Sequence, residues 1–313
     1  MKLYMVPVLS LLLSSCVTTH DIRIDQSKII GYHFDLEAGK KMEQPYVARF
    51  KKGDKELLYV LSKHVSEKEF PNIVDHPTNI TIQRLFGKFA PQVVILEGIP
   101  PSKDVETRKI QDKLEKCRKH NFKGCGESFF AMDQAIQRKA DFISGEPTEK
   151  DIQEFVAKSG FTRRDLLGVY MVRQIPQMKR RNEFNSKTFP TDCQRFLNHY
   201  RERVGLTAKF DYDDFKQWYQ VHMKTPVDFL DIENDDTAPH GGQDATYVQR
   251  ILHLVGLARD RVIVQRIEEM LNQHDRVLIV YGGSHFLLQE RALKDALGEP
   301  EYFREVENEI FVK

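Results

Sequence analysis

Four cysteines, one tryptophan and almost no charge imbalance, 47 Lys+Arg against 46 Asp+Glu, close off several classes of function. Without a basic excess, the composition gives no reason to expect a nucleic-acid partner. No CxxC and no Cys/His cluster with zinc spacing occurs, so a thiolate metal site is not expected. With 17 glycines and 13 prolines among 313 residues, and 41% hydrophobic residues, the chain is neither a disordered tail nor a collagen-like fibre. Long apolar runs are also missing. The one stretch suited to a bilayer core, Leu3 to Leu13, has 11 residues and contains Pro7 and Ser10. A spanning helix needs about 20.

That short run follows Lys2 and precedes Ser14, Ser15 and Cys16, the layout of a secretion signal. Leu13-Ser14-Ser15-Cys16 resembles a bacterial lipobox. The resemblance implies cleavage after residue 15, acylation of Cys16, and a body tethered to the membrane of the envelope. Two or three acyl chains, each adding about 0.8 kcal/mol per buried CH₂, anchor firmly. Val17 rather than Asp resembles a sorting signal for the outer membrane. An oxidising compartment permits disulfides. Cys117 and Cys125 close a short loop and are the expected pair, with Cys193 left over.

Residues 17–44 are polar without clear periodicity and read as tether and lead-in. From residue 45 the chain reads as one α/β domain. Tyr46 to Phe50 and Leu57 to Leu61 flank a Lys/Gly/Asp turn, a hairpin signal. Asn79 to Phe89 has helical apolar spacing. Continuous apolar runs at Gln92 to Leu96 and Arg276 to Tyr281 suit buried strands. Asp141 to Ser144 is a shorter strand, and Glu309 to Val312 is expected as the last. Lys103 to His120 and Phe129 to Lys139 read as helices. Thr148 with Asp151 resembles a capping box. From there the chain is mostly helical, with a helix from Asp165 to Glu183 that Pro176 should kink or end. The expected architecture is a mixed central sheet with flanking helices and a long helical insertion at about 150–245.

The strand ends carry the chemistry. Leu57 to Ser62 is followed by Lys63-His64, Val93 to Leu96 by Glu97-Gly98, Phe142 to Ser144 by Gly145-Glu146, and Val277 to Tyr281 by Gly282-Gly283-Ser284-His285. In open α/β sheets ligands bind outside the carboxyl ends of the strands. Parallel strands would therefore bring His64, Glu97, Glu146 and His285 to one rim. Two imidazoles and one or two carboxylates suit Mn²⁺, Co²⁺ or Zn²⁺. The same set also works without metal, with one residue as general base and the others orienting it. Glu146 has a second reading, as a charge favouring the N-terminus of the next helix. Arg259 falls on the apolar face of the helix from Thr246 to Leu271, where a guanidinium needs a carboxylate or phosphate.

These residues resemble the superfamily that includes erythromycin esterase, the haem-binding ChaN lipoproteins, TraB/GumN proteins and Tiki proteases. Gly282-Gly283-Ser284-His285 matches its late Gly-x-x-His motif, Leu96-Glu97-Gly98 its strand-terminal Glu, and Arg259-Asp260 its late Arg-Asn/Asp pair. The first Gly-x-x-His departs, with Leu61 in place of glycine ahead of His64. The resemblance covers residues 57–288 and implies one of several activities. The expected function is a membrane-anchored, metal-dependent hydrolase of a peptide, ester or lactone bond. His64, Glu97, His285 and Glu146 would hold the metal, and His64, Glu97, His285 and Arg259 would act on a small-molecule or peptide substrate. The alternatives are a haem- or ligand-binding lipoprotein and a non-catalytic envelope protein.

Overall fold

The computed structural model describes residues 21–304, except 34, 65–69, 71, 102, 103, 224, 225 and 227. Cys16 and the strand expected at 309–312 lie outside the described residues. The sheet has the order β4-β3-β5-β2-β1-β6. Its strands are β1 (Tyr46–Lys52), β2 (Lys55–Ser62), β3 (Val93–Leu96), β4 (Asp141–Ser144), β5 (Arg276–Gly282) and β6 (Glu301–Phe303). The β1–β2 hairpin and the β1–β6 pair are antiparallel. The other neighbours, β2–β5, β3–β5 and β3–β4, are parallel. The sheet is therefore mixed, and four strands deliver their carboxyl ends to one edge.

The apolar runs that mark β2, β3 and β5 are covered on both faces, as parallel strands require. One face, with Leu58, Val60, Val94, Leu96, Leu278 and Val280, packs against α2 (Pro77–Lys88), α3 (Asp104–Lys119) and α4 (Gly126–Arg138). The other, with Tyr59, Leu61, Ile95, Ile279 and Tyr281, packs against two later helices, α9 (Tyr247–Gln273) and α10 (Gly283–Leu297). A single helical turn, α1 (Leu36–Gly39), precedes β1. Cys117 at the end of α3 and Cys125 before α4 form a disulfide with a Cα separation of 5.9 Å.

Between β4 and β5 the chain builds a second core from α5 (Glu149–Ala157), α6 (Arg163–Arg180), α7 (Phe189–Arg203), α8 (Tyr212–His222) and the first half of α9. Capping boxes start α5 at Thr148/Asp151, α6 at Thr162/Asp165, α8 at Asp211/Asp214 and α9 at Thr246/Gln249. Each satisfies two orphan donors of a first turn reciprocally. Gly168 of α6 leaves room for the Trp218 indole, which would meet an added Cβ at 2.5 Å. Trp218 donates to Asp165 at 3.0 Å, so the same cap residue also anchors α8. Buried Cys193 belongs to this core, and burial pushes its thiol up to about 12. Helix α6 runs four residues past Pro176.

Two expectations change. The segment read as tether and lead-in joins the body from Ile22 onward. Ile22 and Ile24 are buried in the sheet core, their amides donating to Asn272 Oδ1 (2.8 Å) and Glu268 Oε2 (2.6 Å) of α9. Two alternating isoleucines are too few to show a period. Strand β6 was also unexpected. Its three residues are held mainly by pairing with β1, a non-local contact with little local signature. Among the described residues, no helix is long and apolar enough to cross a membrane.

Candidate active site

His64, Glu97, Glu146 and His285 all follow strands at the carboxyl edge of the sheet, and Arg259 reaches the same edge from α9. Register pairs Leu61 with Tyr281 and Ser62 with Gly282, so β2 and β5 end level with each other. Leu61, where the resemblance expects glycine, is thus an interior strand residue and fully buried. The equivalent backbone position is Ser62, and His64 leaves on the loop beyond it. His285, by contrast, rides the first turn of α10 and is 5% exposed.

Glu97 lies between the two. Its Oε2 accepts the Gly282 N–H at 2.6 Å, and its Oε1 accepts Arg259 Nη2 at 3.3 Å. His285 Nε2 stands 3.8 Å from the same Oε1, beyond hydrogen-bond length. Gly282 is the common floor. A Cβ there would meet Glu97 Oε2 at 3.3 Å and His64 Nε2 at 3.4 Å, so any side chain would enter the space between them. His64, Glu97 and His285 therefore share one rim.

A carboxylate backs each imidazole. His285 Nδ1 lies 2.8 Å from Asp260 Oδ1, which also accepts Gln289 Nε2 at 2.7 Å. Asp260 Oδ2 accepts the Tyr32 hydroxyl at 2.9 Å, and Tyr59 donates to Gln289 at 3.3 Å. Asp260 is fully buried, and these donors satisfy it. An Nδ1–H donated to Asp260 leaves Nε2 as the free lone pair facing Glu97. On the other side, His64 Nδ1 lies 2.8 Å from Glu127 Oε1 of α4, which also accepts Ser62 Oγ at 3.2 Å. The hydrogen bond to Glu127 pushes His64 up to about 9, against a smaller opposing effect of burial. The ring is mostly solvent-facing, so screening tempers the pairing energy. The direction makes His64 an imidazolium at neutral pH.

Arg259 ties the rim together. It donates Nε to Glu146 Oε2 at 2.9 Å and Nη2 to Glu146 Oε1 at 2.8 Å, a bidentate fork, besides its contact with Glu97. Glu146 Oε1 accepts two further donors, Gly98 N at 2.9 Å and Tyr281 OH at 3.1 Å. Gly98 has φ +67°, the left-handed turn that aims its N–H at this carboxylate. Burial raises the Glu146 carboxyl, but the charge and hydrogen bonds of Arg259 outweigh it and hold Glu146 below its ordinary value. Burial likewise opposes the Arg259 charge, and Glu146 more than restores it.

No protein-family model, curated protein or solved structure matches the chain.

The expected metal ligands fit a metal incompletely. An Nδ1 held by a carboxylate with Nε2 free is the orientation metal-binding histidines adopt. Yet among the described residues no three His, Cys, Asp or Glu side chains converge as a metal-holding group. Glu146 has both oxygens committed to Arg259, and His64 must lose a proton before it can ligate. His64, held charged by Glu127, and His285, oriented by Asp260, lie on either side of Glu97, an arrangement chemically able to support proton transfer.

Glu127 and Tyr32 were not evident from the sequence. Glu127 sits in the first turn of α4, where Gly124-Cys125-Gly126 offers no chemical cue to a histidine 63 residues away. Asp260 was visible as the second member of the Arg259-Asp260 pair, but its contact with His285 was not.

The His64 pair gives a pH prediction. His64 should titrate near 9 by NMR, and Glu127→Gln should return it toward the ordinary 6.5. The raised pKa means the pair's stabilisation is fully present below 6.5 and lost as pH rises through about 9. The stability deficit of Glu127→Gln should therefore be larger at acid pH than above that midpoint. A wild-type titration at the ordinary histidine value would contradict the assignment.

Proposed function

We propose that the protein is a hydrolase of a peptide, ester or lactone bond, working by acid–base chemistry at the His285–Glu97–His64 rim. The observation that carries this reading is the pair of imidazoles, each held through Nδ1 by its own carboxylate, with Nε2 turned toward the space beside Glu97 and Gly282. A structural histidine needs one partner. Two oppositely prepared ones on a shared strand rim suit proton transfer.

In the proposed reaction a water attacks the substrate carbonyl carbon and gives its proton to His285 Nε2. Asp260 stabilises the resulting imidazolium, as a buried carboxylate does behind a catalytic histidine. Glu97 orients the water. The oxyanion that forms as the C=O bond opens faces the His64 N–H, a charged donor held ready by Glu127. When the tetrahedral centre collapses, the C–O or C–N bond to the leaving group breaks. The leaving group then takes the proton from His285, and the products are an acid and an alcohol or amine. A single oriented acid–base group typically contributes 10²–10⁴-fold.

A metal-assisted form is the second reading, favoured by the His285 Nε2 that its Asp260 contact leaves free. A divalent Mn, Co or Zn ion would be held by His64, Glu97 and His285 and would supply Lewis acidity that lowers the pKa of water. The two forms separate in one experiment. The mature protein is assayed on peptide, ester and lactone libraries, with chelator and with each added metal, against His285→Ala. The acid–base form predicts turnover that chelator leaves intact and His285→Ala reduces by about 10²-fold or more. Turnover only with metal would favour the second reading. Haem binding without His285-dependent turnover, or neither activity, would overturn the hydrolase proposal.

The envelope location is part of the same proposal and rests on Leu13-Ser14-Ser15-Cys16, with an anchor in the outer membrane. Cys16→Ser should abolish palmitate labelling and release the protein from membranes. Labelling that persists in this variant would remove the anchor.

A further inference from the structure

Beside the rim, a cleft of about 900 Å³ opens between the helical insertion and the ends of β3 and β4. Neither His64 nor His285 lines it. Glu146 and Arg259 do, so the cleft adjoins the site and shares its guanidinium. Its far wall is formed by α6 and α7, which contribute Tyr170, Arg173, Tyr200 and Arg203.

The lining charges are unevenly paired. Arg259 is neutralised by Glu146 and Glu97. Arg203 donates to Glu149 at 2.7 Å, and Glu149 also accepts the Tyr170 hydroxyl at 2.9 Å. Arg173 makes no ion pair among the described residues. Glu202 also lines the cleft without ion-pairing to Arg173. Arg173 remains open to solvent through the mouth of the cleft. The crowding walls and the positive charge of Arg259 both press against its own charge. Its long side chain projects from a helix beside the Tyr170 and Tyr200 rings, whose centroids lie 5.4 Å apart. An arginine with two paired-off arginine neighbours, Arg203 and Arg259, and no ion pair of its own is suited to a ligand's oxyanion, since its planar fork matches carboxylate and phosphate.

We propose that this cleft is a substrate subsite in which Arg173 holds a compact oxyanion, a carboxylate or a phosphate, on the body of the substrate, while the bond to be broken lies over Glu97 and His285. The binding half stands on the cleft alone. The positioning half rests on the hydrolase reading.

The test measures binding of inorganic phosphate and of acetate to the mature protein at low ionic strength by calorimetry and NMR. Wild type is compared with Arg173→Gln, Arg173→Lys, His285→Ala and the charge-matched control Arg195→Gln. Arg195 is an exposed residue of α7 outside the lining. The proposal predicts that Arg173→Gln weakens at least one of the two anions by about tenfold or more. Arg173→Lys should weaken it less, and His285→Ala and Arg195→Gln should leave it unchanged. The anion affected identifies carboxylate or phosphate. No binding of either anion by wild type up to about 10 mM would overturn it. Equal weakening by Arg173→Gln and Arg195→Gln would also overturn it, by showing general electrostatics. Circular dichroism checks that all three arginine variants are folded. If the anion binds as predicted but the library assay finds no turnover by wild type, the subsite survives and the hydrolase reading falls.

Discussion

The site depends on the point where helix α9 passes from one core to the other. Its first half, from Val248 to Ala258, packs in the helical insertion, and its second, from Ile263 to Leu271, packs on the sheet. The residues at the crossing, Arg259 and Asp260, are polar and point to different partners, as adjacent helical positions must. Arg259 reaches the ends of β3 and β4 through Glu97 and Glu146. Asp260 reaches α10 and the lead-in through His285, Gln289 and Tyr32. One helix turn thereby holds two strand ends, His285 and the N-terminal segment in register.

Such a crossing is costly to leave incomplete. Removing one partner of a buried pair leaves an uncompensated charge and typically costs about 3–5 kcal/mol. The fork between Arg259 and Glu146, with Gly98 and Tyr281 as further donors, keeps that cost from arising. Glu97 is more lightly held, by one backbone N–H and one long contact to Arg259. The difference divides the two carboxylates by role: Glu146 fixes the guanidinium, and Glu97 keeps an oxygen turned toward His285.

Much of this was legible in the sequence because it is local. The continuous apolar runs gave the parallel strands, the Thr/Asp spacing gave the start of α5, and the polar residue after each run marked the rim. Long-range partners were not legible. Glu127 meets His64 only because α4 packs against the face of the sheet where β2 ends, and Tyr32 meets Asp260 across 228 residues. Leu61 looked like a broken motif because spacing alone cannot tell a strand residue from the turn after it. Pairing with Tyr281 resolves it, since β2 carries its last apolar residue one position further than a Gly-x-x-His pattern allows. Arg173 gave no signal, being one basic residue on a basic helix until the fold surrounds it with arginines already paired.

On the proposed mechanism Asp260 prepares His285 for proton transfer rather than merely packing beside it. The most direct measurement is the rate of Asp260→Asn on the best substrate from the library assay, with folding checked by circular dichroism. Asparagine keeps the shape but can present its amide N–H toward Nδ1, which favours the wrong tautomer. A fall of about 10⁴-fold in kcat with KM little changed is the predicted result. Unchanged kcat in a folded Asp260→Asn variant would contradict it.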